Sequence, residues 1–188
     1  MKEKIIERYD RTENGQVIID VAASKVEELY EDFDKQAPYH RKDLDEELAA
    51  YLAGCVREIG KSEFVIRITL DRAPSGELQA RIRTSLYKFF MYQRELEIAS
   101  VTRTLKHSLM LLLAGFALLF LSFRLHGCPE RPFYQNVLIE GVTIAAWVSL
   151  WEALSIVLFN WWPSRHRIKQ NFRIANAEVL FQAQDGGL

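Results

Sequence analysis

Ser108-Leu109-Met110-Leu111-Leu112-Leu113-Ala114-Gly115-Phe116-Ala117-Leu118-Leu119-Phe120-Leu121-Ser122-Phe123 is the stretch that decides the fold class of this chain. It is uncharged, rich in Leu and Phe, and bounded by Lys106-His107 and Arg124. As a helix it covers about 24 Å, short of the roughly 30 Å of a bilayer core. Leu105 and Leu125 extend it, and Lys106 and Arg124 can snorkel to the headgroups. A second apolar run goes from about Val137 to Trp162, broken only by Glu140 and Glu152, and ends in Trp161-Trp162-Pro163. That ending reads as an aromatic belt followed by a helix stop. Between the runs, Gly127, Pro129 and Pro132 mark a short polar turn. The two runs predict a transmembrane helical hairpin. The competing reading is a hairpin buried in a soluble core, but a chain of 188 residues cannot wrap two helices that are apolar all round.

Outside this segment the composition changes. Residues 1–106 and 164–188 hold nearly all of the 24 Lys and Arg and the 25 Asp and Glu, so the mean hydropathy of −0.09 averages two unlike regions. A net charge of −1 offers no basic excess for phosphate backbones, and no nucleic-acid partner is expected. Cys55 and Cys128 lie far apart and form neither a disulfide framework nor a metal-ligand spacing. The first eight residues, Met1 to Arg8, are too charged for a signal peptide, so insertion is expected to be directed by an internal segment.

The charged region carries α/β signals. Asn14-Gly15 is a turn, and Gln16-Val17-Ile18-Ile19-Asp20-Val21 reads as a β-branched strand. Ser24 offers an N-cap for a helix over Lys25–Asp34, with Val26, Leu29, Tyr30 and Phe33 on one face and Pro38 after it. A second helix is expected from Asp43, with Asp43 and Glu46 as a capping box and Gly60 as its stop. Its apolar stripe is Leu44, Leu48, Tyr51, Leu52, Cys55, Val56 and Ile59. Phe64-Val65-Ile66-Arg67-Ile68-Thr69-Leu70 is the clearest strand, and Ala73-Pro74-Ser75-Gly76 a turn. From Glu77 to Lys106 there is neither Gly nor Pro, which predicts one helix of about 45 Å. Tyr87 to Tyr92 is apolar nearly all round and is expected to be buried; a hairpin partner for 64–70 is the alternative for the first ten residues of this stretch. Phe172 to Phe181 could return as an edge strand.

The fold class is therefore α+β: a two-helix transmembrane hairpin with a small cytoplasmic α/β domain formed by the N-terminal region, open to completion by a C-terminal strand. The expected divisions are 1–76 for the domain, 77–106 for the helix leading into the membrane, 107–125 and 137–162 for the spans, 126–136 for an extracytoplasmic turn and 163–188 for a cytoplasmic tail. Lys88, Arg94, Arg103 and Lys106 precede the first span, and Arg165, Arg167, Lys169 and Arg173 follow the second, against Arg124 and Arg131 in the turn. The positive-inside rule then places both termini in the cytoplasm, at a plasma (inner) membrane.

Ala37-Pro38-Tyr39-His40-Arg41-Lys42-Asp43-Leu44-Asp45, and more so Glu140-Gly141 leading through Trp147-Val148-Ser149-Leu150-Trp151 to Trp161-Trp162-Pro163, resemble a family of uncharacterised prokaryotic two-span membrane proteins. The likeness covers most of the chain and implies the same topology, with no activity to carry over. Where the family pattern has Pro-Leu-Glu after the second tryptophan, this chain has Ala153-Leu154-Ser155, so Glu152 is not equated with the family's acidic residue.

Glu152 is the most informative single residue. Counted along the second run, it lies about ten residues from the cytoplasmic end, near mid-bilayer, level with Gly115 of the first helix. A carboxylate there faces a bundle interior, a partner or water, and reads either as helix glue or as part of an ion path. Glu140 sits near the outer interface, where Arg124 or Arg131 could pair with it. Gly115, Trp147 and Trp151 are candidate packing residues, and Trp161, Trp162, Lys106, Arg124, Arg165 and Arg167 candidate interface anchors. His107 and His166 read as headgroup contacts. His40, Asp43 and Asp45 cluster at a turn, but helix capping explains Asp43 without chemistry. No HExxH, CxxC or Gly-rich phosphate loop is present, so no catalytic, cofactor or metal residues are assigned. Three functions compete: a membrane-anchored interaction or assembly module, with a cytosolic protein or its own copies as partner; a small homo-oligomeric channel or transporter using Glu152; and a membrane-tethered enzyme. The first fits a charged domain without a reactive constellation.

Overall fold

The computed structural model describes residues 7–31, 43–126 and 132–184, without the side chains of Asn160 and Trp162. Its elements are β1 (Val17–Ala23), a single 3-10 turn (Val26–Leu29), α1 (Glu46–Ile59), β2 (Phe64–Leu70), α2 (Gly76–His126), α3 (Phe133–Ala175) and β3 (Glu178–Ala183). The strands form one sheet in the order β1-β2-β3. Both pairings are parallel, with Ile19 opposite Ile66 and Ile66 opposite Val179. Parallel neighbours need crossover connections. α1 supplies the first. The second is the whole of α2 and α3, so the two long apolar helices are inserted between adjacent strands of the sheet.

The chain divides into two compact units, one of residues up to Glu95 together with Ile168 onward, the other Leu96–Arg167. The α/β unit thus takes in the first turns of α2 and the chain's tail as well as the N-terminal region. In it, alternation along the strands sends Val17, Ile19, Val21, Phe64, Ile66, Ile68 and Val179 into the core with Leu52, Val56 and Ile59 of α1 and Ile82, Leu86 and Phe90 of α2. The last turn of α3 joins this core through Ile174, and the Arg173 guanidinium donates to the carbonyls of Gly60 and Ser62. Burial pushes the Arg173 pKa down from its ordinary value. The opposite face of the sheet carries Asp20, Ala22, Arg67, Thr69 and Gln182.

Strand 64–70 lies where the sequence predicts it, and the tail does return as an edge strand, over Glu178–Ala183. Phe172 belongs to α3. The first residues of α2 are helix, so the hairpin-partner alternative falls. Four expectations are corrected. Of the helix expected over 25–34, the described residues 25–31 form only the 3-10 turn, because Tyr30 is extended (φ −126°) and bridges to Leu44, which buries both; residues 32–34 and Pro38 lie outside the described residues. The cap of α1 is Asp45, whose carboxylate accepts from the Leu48 N–H at 2.9 Å, and not Asp43. Gly60, at φ 70°, ends α1 as expected, its N–H donating to the Val56 carbonyl at 3.1 Å. Of Tyr87 to Tyr92 only Phe90 is buried, since a helix lying on one sheet face can hide one stripe; Tyr87 and Tyr92 are exposed. Finally, Pro163 does not stop its helix. α3 begins already at Phe133 and runs through Pro163 to Ala175. A proline removes one N–H, and an apolar helix with the rest of its ladder intact tolerates that loss.

Candidate functional site

Among the described residues two helices, α2 and α3, are long and apolar enough to cross a membrane. Within the unit Leu96–Arg167, the buried positions of α2 are Ser108, Gly115 and Ser122, seven residues apart. Among the described side chains those of α3 are Ile139, Ala146 and Ala153, again seven apart. A seven-residue repeat keeps one seam of each helix on its neighbour. Contacts set the register. The Ser108 hydroxyl donates to the Ala153 carbonyl at 2.8 Å, and Ser122 Oγ lies 2.6 Å from Thr143 Oγ1. A Cβ built on Gly115 would lie 2.8 Å from Leu150 Cγ and 3.3 Å from the Ala146 carbonyl oxygen. Glycine is therefore required for the approach at that layer. The two helices run antiparallel, with a step of seven along one answered by a step of seven back along the other.

The seam is small and hydroxylic, whereas the outer surface is large and apolar. Phe123 is 79% exposed, Trp151 74%, Phe120 64% and Leu113 62%. This inverts the usual arrangement of a water-soluble hairpin, which buries its large apolar side chains. Where the solvent is hydrocarbon, helices gain nothing by hiding leucine, and small residues and interhelical hydrogen bonds make the contact.

The register moves Glu152. Averaged over the Ser108–Ala153, Gly115–Ala146, Gly115–Leu150 and Ser122–Thr143 contacts, it sits level with about residue 111, about 6 Å from the Gly115 layer at 1.5 Å per residue. The expectation that Glu152 lies level with Gly115 is off by about one helical turn: Gly115 faces Ala146 and Leu150. The reason is that the apolar run of α3 overshoots that of α2, and residues 154–162 lie alongside about 101–109, which include Arg103 and Lys106. Glu140 falls about 12 Å on the other side of the Gly115 layer. In depth Glu140 is thus about one residue from Arg124 of the other helix, and Glu152 about five from Lys106. Lys106 and Arg124 are about 27 Å apart along α2, close to a hydrocarbon thickness. Both acids are exposed, and around α3 they are separated by about 120°. Ile144, Val148 and Trp151, all exposed, form the apolar ridge between them.

The remaining candidates of this unit are placed as follows. Trp147 is exposed beside Trp151, while Thr143 turns toward Ser122. The Arg165 guanidinium lies 5.1 Å from the Trp161 ring centroid, and that of Arg124 lies 5.5 Å from Phe120. Arg167 pairs with Glu97 at 3.2 Å. Lys106 and His107 are exposed. The side chain of Trp162, and all of Cys128, Arg131 and His40, lie outside the described residues.

In the α/β unit the polar sheet face centres on Arg67, which pairs with Asp20 and reaches Asp10 at 3.2 Å. The hydrogen bond to Asp20 is the main cause that raises the Arg67 pKa further. Tyr9 donates to Glu58 at 2.8 Å; burial, then hydrogen bonding with Cys55 and Glu58, holds its phenol above the ordinary value. Among the described residues no three His, Cys, Asp or Glu side chains group in a way that could hold a metal ion.

The seam was legible in the sequence as Ser108, Gly115 and Ser122 at intervals of seven, a signal obscured by the surrounding leucines. Comparison with family models, with curated proteins and with solved structures gave no match to this chain.

Proposed function

We propose that this chain is an integral membrane protein that anchors and assembles an α/β module at the cytoplasmic surface of a plasma membrane, in line with its resemblance to two-span prokaryotic proteins. The observation that carries the reading is the inverted polarity of the α2–α3 hairpin, with Ser108, Gly115, Ser122 and Ala153 in the seam and Leu113, Phe120, Phe123 and Trp151 outside. A bilayer is the medium in which that arrangement costs least. The insertion of the hairpin between β2 and β3 supports an anchoring role, because the sheet cannot close without both helices. The bases of 88–106 and 165–173 outnumber those of the turn, which favours cytoplasmic termini. The partners of this reading are the lipid bilayer, further copies of the chain and a cytosolic protein. A pore using Glu152 draws less support: Glu152 and Glu140 straddle the apolar ridge of Ile144, Val148 and Trp151, so one face of α3 does not offer both to a water path.

Two measurements test the proposal. A membrane-impermeant maleimide should label Cys128 in intact cells and should not reach Arg57→Cys, an exposed position of α1 that serves better than the buried Cys55. Labelling of Arg57→Cys from outside would reverse the orientation. In mild detergent the particle mass should correspond to two or more copies, with Glu152→Gln and Glu152→Leu both close to the parent, since this acid is exposed and outside the seam. A monomer at every concentration would remove the assembly part of the reading.

A further inference from the structure

From Ser122 to Ser108 the α2–α3 seam is closed by direct contacts: Ser122 with Thr143, Gly115 with Leu150, and Ser108 with Ala153. One heptad further, at Val101, it holds a cavity with room of about 20 Å³ for water, where one molecule needs about 10–15 Å³. Ser100, Val101 and Thr104 of α2 and Trp161 and Ser164 of α3 are among the residues that line it. Among the described residues the hydroxyls of Ser100, Thr104 and Ser164 have no hydrogen-bond partner. In the same two helices Thr102, Thr143 and Ser149 do, each donating to the carbonyl four residues back at 2.8, 2.9 and 2.9 Å. Pro163, next to Ser164, has no N–H for the Phe159 carbonyl, so one more acceptor in these turns of α3 lacks its helical donor. Thr104 and Ser100 lie about 3 and 9 Å past Lys106 along α2, at headgroup depth, where water is at hand.

We propose that this layer is a binding site for one water molecule, which bridges the Thr104 hydroxyl of α2 to the Ser164 hydroxyl of α3, with the Ser100 hydroxyl as its third partner. A water held between protein groups makes about three hydrogen bonds, the number of hydroxyls offered here. Such a bridge is nearly as favourable in enthalpy as a direct contact. Size selects the ligand, because a whole lipid phosphate does not fit a space for about one water. The seam therefore continues past Ser108, direct inside the apolar zone and hydrated where the helices leave it.

A double-mutant cycle on the full chain in maltoside micelles tests it, with Thr104→Val, Ser164→Ala and unfolding by added SDS. Each single change should raise the unfolded-to-folded ratio about 3-fold, the size of one interhelical hydrogen bond. Both changes sever the same bridge, so the double variant should also stay near ~3-fold instead of the ~9-fold of independent sites. In maltoside alone, NMR cross-relaxation from water to the Val101 methyls should have the sign of a long-lived water and vanish in the double variant. A lower unfolded-to-folded ratio for Thr104→Val would mean a dry cavity, since losing an unpartnered hydroxyl then helps. An additive double variant would mean that each hydroxyl serves only its own helix. Loss of the water signal when phospholipid is added would assign the site to a headgroup oxygen. Any of these three results overturns the proposal. Its failure would leave the anchoring reading intact, since neither orientation nor assembly depends on this layer.

Discussion

Replacing Ile66 by alanine is expected to melt the α/β unit while leaving the α2–α3 hairpin helical. Ile66 is 1% exposed and lies on the central strand, opposite Ile19 of β1 and Val179 of β3. The substitution removes three carbons from a site closed on both sides by strands and from one face by helices. Such changes cost about 2–5 kcal/mol, of a total of about 5–15 kcal/mol for a domain. Because β2 holds the two ends of the crossover together, the loss should spread to β1 and β3. Hydrogen exchange of the full chain in micelles checks it: amides of residues 17–23, 64–70 and 178–183 should lose protection, and those of 108–123 and 138–153 should not. Equal loss in both regions would mean that the two units unfold as one.

Gly115→Ile should produce the second large effect. A Cβ there already presses on Leu150 Cγ at 2.8 Å, and the Ala146 carbonyl leaves no retreat. The added branches would separate α2 from α3, breaking the Ser108–Ala153 and Ser122–Thr143 contacts on either side. Overpacking costs about 1–3 kcal/mol, and each lost interhelical hydrogen bond about 0.6 kcal/mol more. Gly141→Ile is the control, because a Cβ at Gly141 meets nothing within 4 Å. Unfolding in mixed micelles with increasing SDS, followed by tryptophan fluorescence, reads α3 directly, since all four tryptophans belong to it. The midpoint should fall for Gly115→Ile and stay near the parent for Gly141→Ile. Equal shifts would place the helix contact elsewhere.

Much of the fold is local and was readable. Phe64 to Leu70 alternates so strongly that its strand needs no tertiary help, and Asn14-Gly15 and Gly60 mark turns that the backbone takes at positive φ for Gly15 and Gly60. Where local preference was weak, the core decided. Lys25 to Asp34 has a passable helical stripe, yet extending Tyr30 against Leu44 buries two large side chains that a helix over those residues would not. Asp45 took the cap from Asp43 for the same reason, because Leu44 is held in the core just ahead of the helix.

The apolar runs, their Lys and Arg flanks and the strand of 64–70 were determined by the sequence alone, because hydrophobic transfer and strand alternation depend on each residue's own chemistry. Only the tertiary structure decided that β1, β2 and β3 lie parallel with the hairpin between two of them, since strand order depends on contacts between distant segments. Only it decided the depth of Glu152. Along one helix that acid counts as central, but depth in a hairpin is set by the register of two helices. Here Ser108, Gly115 and Ser122 lock α3 so that its excess apolar turns lie beside the charged turns of α2.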